Sequence, residues 1–169
     1  LWVEDRDAMI AFIQELRTEL DAAQPGSLLT MATPAIDWSG AWDYDVLAAS
    51  ADVLFIMGYS FHGSFSGPGP VAPLDGGEVW SARGLRWSVQ DYVEWSGEEN
   101  LHKIVLGLPL YGYEWETTDG EVPGESNGDS WAVFWDSARS LADDHGSSWD
   151  AESSTPWSSW EVGQDDWRQ

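Results

Sequence analysis

The feature that most constrains this chain is a set of three short, nearly continuous apolar runs at residues 28–33, 53–57 and 103–108, each preceded by a stretch of helical character. Apolar runs of about four to eight residues without polar alternation fit strands buried on both faces, the pattern of parallel sheets. Ahead of the first run, Met9, Ile10, Phe12, Ile13, Leu16 and Leu20 recur at three- and four-residue steps, which predicts an amphipathic helix over 5–23. Asp5 or Asp7 can cap it, and Pro25 with Gly26 ends it. Shorter helices are expected over 44–50 and 89–95, the second capped by Ser88. Helix and strand thus alternate three times, which predicts an α/β fold with a parallel sheet.

After residue 108 the rhythm stops. Residues 120–129 read as a polar loop, 131–144 as a helix capped by Asp129 or Ser130 and ended at Gly146, and 157–162 as a short strand. We therefore expect two parts, an α/β part over 1–115 and an appended α+β element over 116–169, with both chain ends looking cut. The loop over 61–86, rich in Gly and Pro, follows the C-terminal end of a strand. Long connections of that kind are usually functional, and that end of a parallel sheet is where sites are built.

Charge excludes whole classes of partner. Thirty Asp and Glu stand against seven Lys and Arg, a formal net charge of −23. The Lys and Arg clusters that bind phosphate are absent, so nucleic acid and anionic membrane surfaces are not expected partners. Self-repulsion at this charge is relieved when salt screens it, which points to a high-salt origin. No apolar run reaches the roughly 18 residues of a membrane span. With no cysteine and three scattered histidines, neither a metal site nor a cofactor is expected. No signal peptide is visible at Leu1–Asp7.

Two strand ends carry the candidate chemistry. Phe55-Ile56-Met57-Gly58-Tyr59-Ser60-Phe61-His62-Gly63 and Gly107-Leu108-Pro109-Leu110-Tyr111-Gly112-Tyr113-Glu114-Trp115 each pass from an apolar strand into aromatic and small polar residues. The first segment resembles the sixth barrel strand of glycoside hydrolase family 18, the chitinase-like family, in which Met-x-Tyr-Asp is followed by an aromatic and His-Gly. The second resembles the seventh strand, Gly-Leu-Pro-x-Tyr-Gly, and residues 29–34 fit the fifth. The Gly-Pro-Gly-Pro-Val-Ala-Pro-Leu stretch at 67–74 and Tyr-Gly-Tyr-Glu-Trp at 111–115 look closest to the spore-cortex-lytic and chitobiase-like branch. Residues 116–169 are similar to the small insertion domain that this branch carries between strands seven and eight.

The resemblance implies part of a TIM (β/α)8 barrel, strands five to seven, because a whole barrel needs about 250 residues. It also implies substrate-assisted retaining hydrolysis of β-1,4-linked N-acetylglucosamine polymers such as chitin or peptidoglycan, in which the substrate's acetamido oxygen replaces an enzymatic nucleophile. Tyr59 matches the tyrosine that steadies the acetamide and is the candidate catalytic residue. Met57, Ser60, Tyr111, Tyr113 and Trp115 join it as candidate substrate-binding residues. The implied partners are an N-acetylglucosamine-containing oligo- or polysaccharide and the remainder of the barrel, and the expected location is extracellular or in the cell envelope.

Two departures weigh against activity of this chain alone. Ser60 stands where the family has Asp, and the family's Asp-x-x-Asp-x-Asp-x-Glu acid motif is nowhere in the sequence, so it is expected upstream of Leu1. Asp37, Asp43 and Asp45 make the nearest carboxylate cluster, without a Glu at the right spacing. The alternative is a non-catalytic, lectin-like protein binding chito-oligosaccharides. Among the other candidates, His62 reads as a loop hydrogen-bonder, Glu114 as a surface carboxylate, and Trp115, Trp157 and Trp160 as the tryptophans best placed to face a cleft.

Overall fold

The computed structural model describes residues 1–164 and 166–169. They divide into two compact units, Leu1–Gly58 with Ser88–Gly107, and Tyr59–Trp87 with Leu108–Gln169.

The first unit is built on α1 (Arg6–Ala23), β1 (Thr30–Pro34), α2 (Tyr44–Ser50), β2 (Val53–Met57), most of α3 (Leu85–Ser96) and β3 (Ile104–Gly107). The strands form a parallel sheet in the order β1-β2-β3. One face is covered at its centre: Thr33, Leu54 and Ile56 have no exposure, and Leu47, Ala48 and Tyr92 are equally buried, while Met31, Ile104 and Leu106 on the same face are half-buried. Tyr92 stacks on Tyr44 at 4.1 Å and donates its hydroxyl to the Pro34 carbonyl at 2.7 Å, tying α3 to the end of β1.

The other face is a correction to the sequence reading, which has these strands buried on both sides. Ala32, Phe55 and Val105 lie opposite one another across the three strands. All three are exposed, Phe55 at 37% and Val105 at 43%. Their apolar character fits a covered face, yet within this chain only the helix side is covered. The strands also sit slightly differently from expectation. Leu28 is 73% exposed, and β1 begins at Thr30 and includes Pro34. Pro34 stands at the last position of β1, where its missing N–H ends the strand without interrupting its interior.

Ser88 is not a cap. It is buried inside α3, which starts at Leu85. The first free helix amides, Leu85 N and Arg86 N, are satisfied by the Pro73 and Leu74 carbonyls at 2.8 and 3.1 Å, so loop backbone replaces a side-chain cap.

The second unit holds β4 (Tyr111–Thr117), β5 (Ser126–Phe134), α4 (Trp135–His145), β6 (Ser148–Asp150), β7 (Thr155–Trp157), β8 (Trp160–Gly163) and β9 (Asp166–Arg168). One sheet has the order β5-β4-β9-β8, and β6 pairs with β7. The expected loop over 120–129 and helix from 131 are displaced here: residues 126–134 form β5, antiparallel to β4, and the helix begins at Trp135. Neither Asp129 nor Ser130 caps it. Trp131, Val133 and Phe134 are compatible with either state, and pairing with the aromatic strand β4 decides for extended backbone. The expected strand over 157–162 is two strands, β7 and β8, separated by Ser158 and Ser159.

Candidate functional site

Gly58 ends the apolar run, and the chain turns sharply just beyond it. Ser60 has φ of 62°, left-handed backbone that is uncommon for a residue with a side chain. Phe61 N is then fixed to the Val71 carbonyl at 3.0 Å, which draws the long loop back over this turn. The result places Tyr59 and Ser60 beside the start of β4. The Ser60 hydroxyl lies 3.2 Å from the Tyr111 hydroxyl, and the Tyr59 ring meets the Tyr111 ring edge-on at 6.3 Å.

Strand alternation extends the cluster. Tyr111, Tyr113 and Trp115 occupy every second position of β4 and share one face. Their rings follow at 6.1 Å and 5.6 Å, giving a continuous aromatic row from Tyr59 to Trp115. Of the six candidate residues, five therefore come together in the second unit. Met57 belongs to the first unit, where two-residue alternation puts it on the same open face of the sheet as Phe55.

The β4 part of the row, Tyr111, Tyr113 and Trp115, lines a cavity of about 380 Å³. Trp80, Trp157 and Asp150 complete its wall, and an adjoining cavity of about 330 Å³ is lined by Trp157, Trp160 and Glu114. Trp115 is only 4% exposed, so it is a buried wall. Its Nε1 has no hydrogen-bond partner among the described residues. Trp160 stacks flat on His145 at 4.5 Å.

Glu114 corrects the surface reading. Its side chain is only 14% exposed, because residues of β4 that alternate with the aromatic row are also covered. Burial pushes its carboxyl above the ordinary carboxylate range, against the hydrogen bond from the Trp131 side chain and the charge of Arg168, which pull it down. Arg168 gathers Glu114 at 3.9 Å, Glu116 at 3.0 Å and Asp166 at 2.6 Å.

The remaining titratable candidates are structural. Asp37 accepts backbone N–H bonds from Ser39, Gly40, Ala41 and Trp42. Asp43 caps α2 through Val46 N and pairs with Arg6 at 2.7 Å. His62 packs edge-on against Trp80 at 5.7 Å, with Ser66 Oγ at 3.5 Å from Nδ1. Burial lowers its pKa, as for a neutral ring held in a loop.

Sequence reasoning did not find Trp80, Asp150 and Glu152. Trp80 Nε1 donates to Asp150 Oδ2 at 2.6 Å, and Val79 N donates to Glu152 Oε1 at 2.6 Å. These partners are 70 and 73 residues apart in the chain, and neither end carries a motif. No local signal joins them.

Comparison with known proteins gives this fold its relatives. It is a mixed α/β fold similar to that of family 18 chitinases. A Group IV chitinase from Ostrinia furnacalis superposes with a TM-score of 0.79 at 23% identity, covering 98% of this chain and 49% of that one. A Bacillus subtilis protein named for a sporulation-specific glycosylase, YdhD, is 36% identical over 116 residues, 66% of this chain and 24% of its own length. Its crystal structure superposes with a TM-score of 0.77 over 99% of this chain and 53% of the solved chain. The cortical fragment-lytic enzyme of Bacillus subtilis is 28% identical over 131 residues, covering 73% of this chain and 28% of that protein. The chain thus spans about a quarter of these curated relatives and about half of the solved chains. The family model for glycosyl hydrolases family 18 matches residues 2–167. This chain belongs to glycosyl hydrolase family 18.

Proposed function

We propose that the chain is part of a glycosidase that cleaves β-1,4-linked N-acetylglucosamine polymers by substrate-assisted retaining hydrolysis. In that reaction an acid protonates the leaving glycosidic oxygen while the substrate's own acetamido oxygen attacks the anomeric carbon, and water then opens the oxazolinium ion. Tyr59 is the residue here that donates a hydrogen bond to the acetamide, and Met57 is a further substrate-binding residue. Ser60, held by Tyr111, offers a hydroxyl to the substrate without charge. Tyr113 and Trp115 continue the aromatic surface.

The proton donor comes from outside these 169 residues, so hydrolysis belongs to a longer protein. In this reading β1, β2 and β3 are the fifth, sixth and seventh barrel strands, and 116–169 is the insertion between strands seven and eight. The open row of Ala32, Phe55 and Val105 is covered by the rest of the barrel. Such a protein acts outside the cell or in its envelope, where these polymers are found.

The observation that carries the reading is the contact between the Tyr59–Ser60 turn and Tyr111, which unites the two strand-end segments typical of the family. Titration of this chain with N-acetylglucosamine oligomers tests it. Saturable binding, weakened about fivefold in Tyr59→Phe by loss of one hydrogen bond of about 1 kcal/mol, is expected. An aryl chitobioside should release no label. Release by this chain alone, or failure to bind any oligomer, would refute the assignment.

A further inference from the structure

Three steps in this chain place glycine directly after an aspartate or asparagine: Asp75-Gly76, Asp119-Gly120 and Asn127-Gly128. In such a step the glycine nitrogen can close a five-membered ring on the side-chain carbonyl carbon, because the glycine carries no Cβ to obstruct it. The structure separates the three. The Asp75 carboxylate pairs with Arg86 at 2.6 Å, and that of Asp119 accepts from Glu121 N at 3.0 Å and Thr118 Oγ1 at 3.2 Å. Both are anchored, and a carboxylate is a poor target for a nucleophile. Asn127 carries an amide instead, and both it and Gly128 are exposed. The other asparagine, Asn100, is followed by Leu101, and its Nδ2 donates to the Ser96 carbonyl at 2.8 Å.

Regular strand pairing would hold Asn127 away from the ring-closing geometry, but the β4–β5 ladder slips at this point. Trp115 pairs with Ser130 and Thr117 with Ser126, so Glu116 alone stands opposite Asn127, Gly128 and Asp129. The β5 backbone therefore bulges there, on a strand that is also an edge of its sheet. The same bulge explains the glycine. Glu116 Oε1 lies 3.0 Å from Arg168, and Oε2 accepts from Asp129 N at 3.0 Å, so the carboxylate is fixed at both oxygens. A Cβ on residue 128 would collide with Oε2. Glu116 thus requires glycine at 128, and that glycine leaves Asn127 open to attack.

We propose that Asn127 is a modification site, at which the folded chain converts its own asparagine to aspartate and isoaspartate through a cyclic imide. Gly128 N gives up its proton to solvent base and bonds to Asn127 Cγ, while the Cγ–Nδ2 bond breaks and Nδ2 leaves as ammonia. Water then opens the imide. Addition at Cγ gives aspartate, and addition at the Asn127 main-chain carbonyl carbon gives isoaspartate, with the chain now running through Cγ. One water is consumed and one ammonia released, without oxidant or cofactor. The product sets a new carboxylate beside Glu116 and Asp129 in a chain of net charge −23, and isoaspartate adds a carbon to the backbone of the bulge. Both changes act on the Glu116–Arg168 pair that joins β4 to β9. The conversion loosens the second unit as the protein ages.

The test is to age the purified chain at 37 °C, at pH 7 and at pH 9, then digest it and read the peptides by mass spectrometry with electron-transfer fragmentation, which tells isoaspartate from aspartate. A gain of one mass unit confined to Asn127, as a mixture of both products, is expected. It should form faster at pH 9, because the amide must lose its proton before the ring closes. The rate should lie within about fivefold of that in urea, since an exposed edge bulge opens at little cost. Aged chain should melt below fresh chain, and Asn127→Gln, whose ring would need six members, should age without either change. Conversion only in urea, or at Asn100 as fast as at Asn127, overturns the site. Aspartate without isoaspartate, or equal rates at the two pH values, overturns the imide route. An unchanged Tm after full conversion overturns the loosening. The wild-type peptides decide the site even where Asn127→Gln does not fold.

Discussion

Replacing Arg168 with Met is the most informative single perturbation of the second unit, because one guanidinium serves three carboxylates. Its carbon stem and packing are largely kept, and its charge is lost. Asp166 is about half exposed, so its pair contributes at most ~0.5 kcal/mol after solvent screening. Glu116, about a third exposed and 3.0 Å away, contributes about 1 kcal/mol. Glu114 is mostly buried, and losing its nearby cation strands a desolvated carboxylate at a cost of about 1–2 kcal/mol. The total is about 3 kcal/mol at pH 7, a drop of about 6–12 °C in Tm for a chain of this size.

The pH dependence gives the sharper test. Glu114 has a carboxyl raised by burial, so between the unfolded value of 4.5 and its native value the folded state holds more protons than the unfolded state. Stability then falls as pH rises through that window. Arg168 is one of the groups that limit the rise, so Arg168→Met should raise the carboxyl further and widen the window. The loss should therefore be less than half as large at pH 4 as at pH 7, and Glu114→Gln in the Arg168→Met background should recover part of it. Thermal unfolding followed by circular dichroism at both pH values is the assay. Equal losses at pH 4 and pH 7 would show that Arg168 acts through packing alone and refute the electrostatic account.

Asp150 has the opposite sign. Its carboxyl is lowered, so its contribution is present above the unfolded value of 3.8 and lost as pH falls through the native value. Asp150→Asn should cost about 1–2 kcal/mol at pH 7, flatten the acid limb of the stability profile, and speed proteolysis within 61–86. An unchanged acid limb would exclude Asp150 as its source. The open row of Ala32, Phe55 and Val105 should make the isolated chain associate, more strongly in 1 M NaCl than at 50 mM because screening removes the repulsion of the net negative charge. Val105→Ser should weaken that association in sedimentation velocity. A monomer with a sharp, concentration-independent transition at both salt concentrations would contradict this.

How much of the fold is legible in the sequence depends on whether a signal is local. The helix over 5–23 and the strand over 53–57 agree closely with the structure, because amphipathic and continuous apolar patterns are written within single elements. The boundary near Ser88 is not legible, since α3 is capped by carbonyls of Pro73 and Leu74 that only the folded loop delivers. Strand β4 does carry a signal. Tyr111, Tyr113, Trp115 and Thr117 repeat with a period of two, and that alternation by itself sets β4 apart from the continuous apolar run of β3. At the site, the Tyr111-Tyr113-Trp115 row follows from the same alternation, whereas the Tyr59–Tyr111 contact and the Trp80–Asp150 latch, 70 residues apart in the chain, join distant segments and have no local sequence signature.

The alternation on β2 also connects the fold to the proposed chemistry. Leu54 and Ile56 point to the covered face, so Phe55 and Met57 must point to the open one. Phe55 lies across β3 at Gly107, the position where a Cβ would collide with its ring, and that glycine lets a large side chain lie flat on the sheet. Met57 then stands at the C-terminal end of the strand, the end at which parallel α/β folds build their sites. Substituting Gly107 with alanine should therefore displace Phe55 and disturb Met57 through the sheet without altering either residue. A loss of oligosaccharide binding in Gly107→Ala comparable to that in Met57→Ala, with Tm lowered by only a few degrees, would tie the packing of the open face to the sugar it supports.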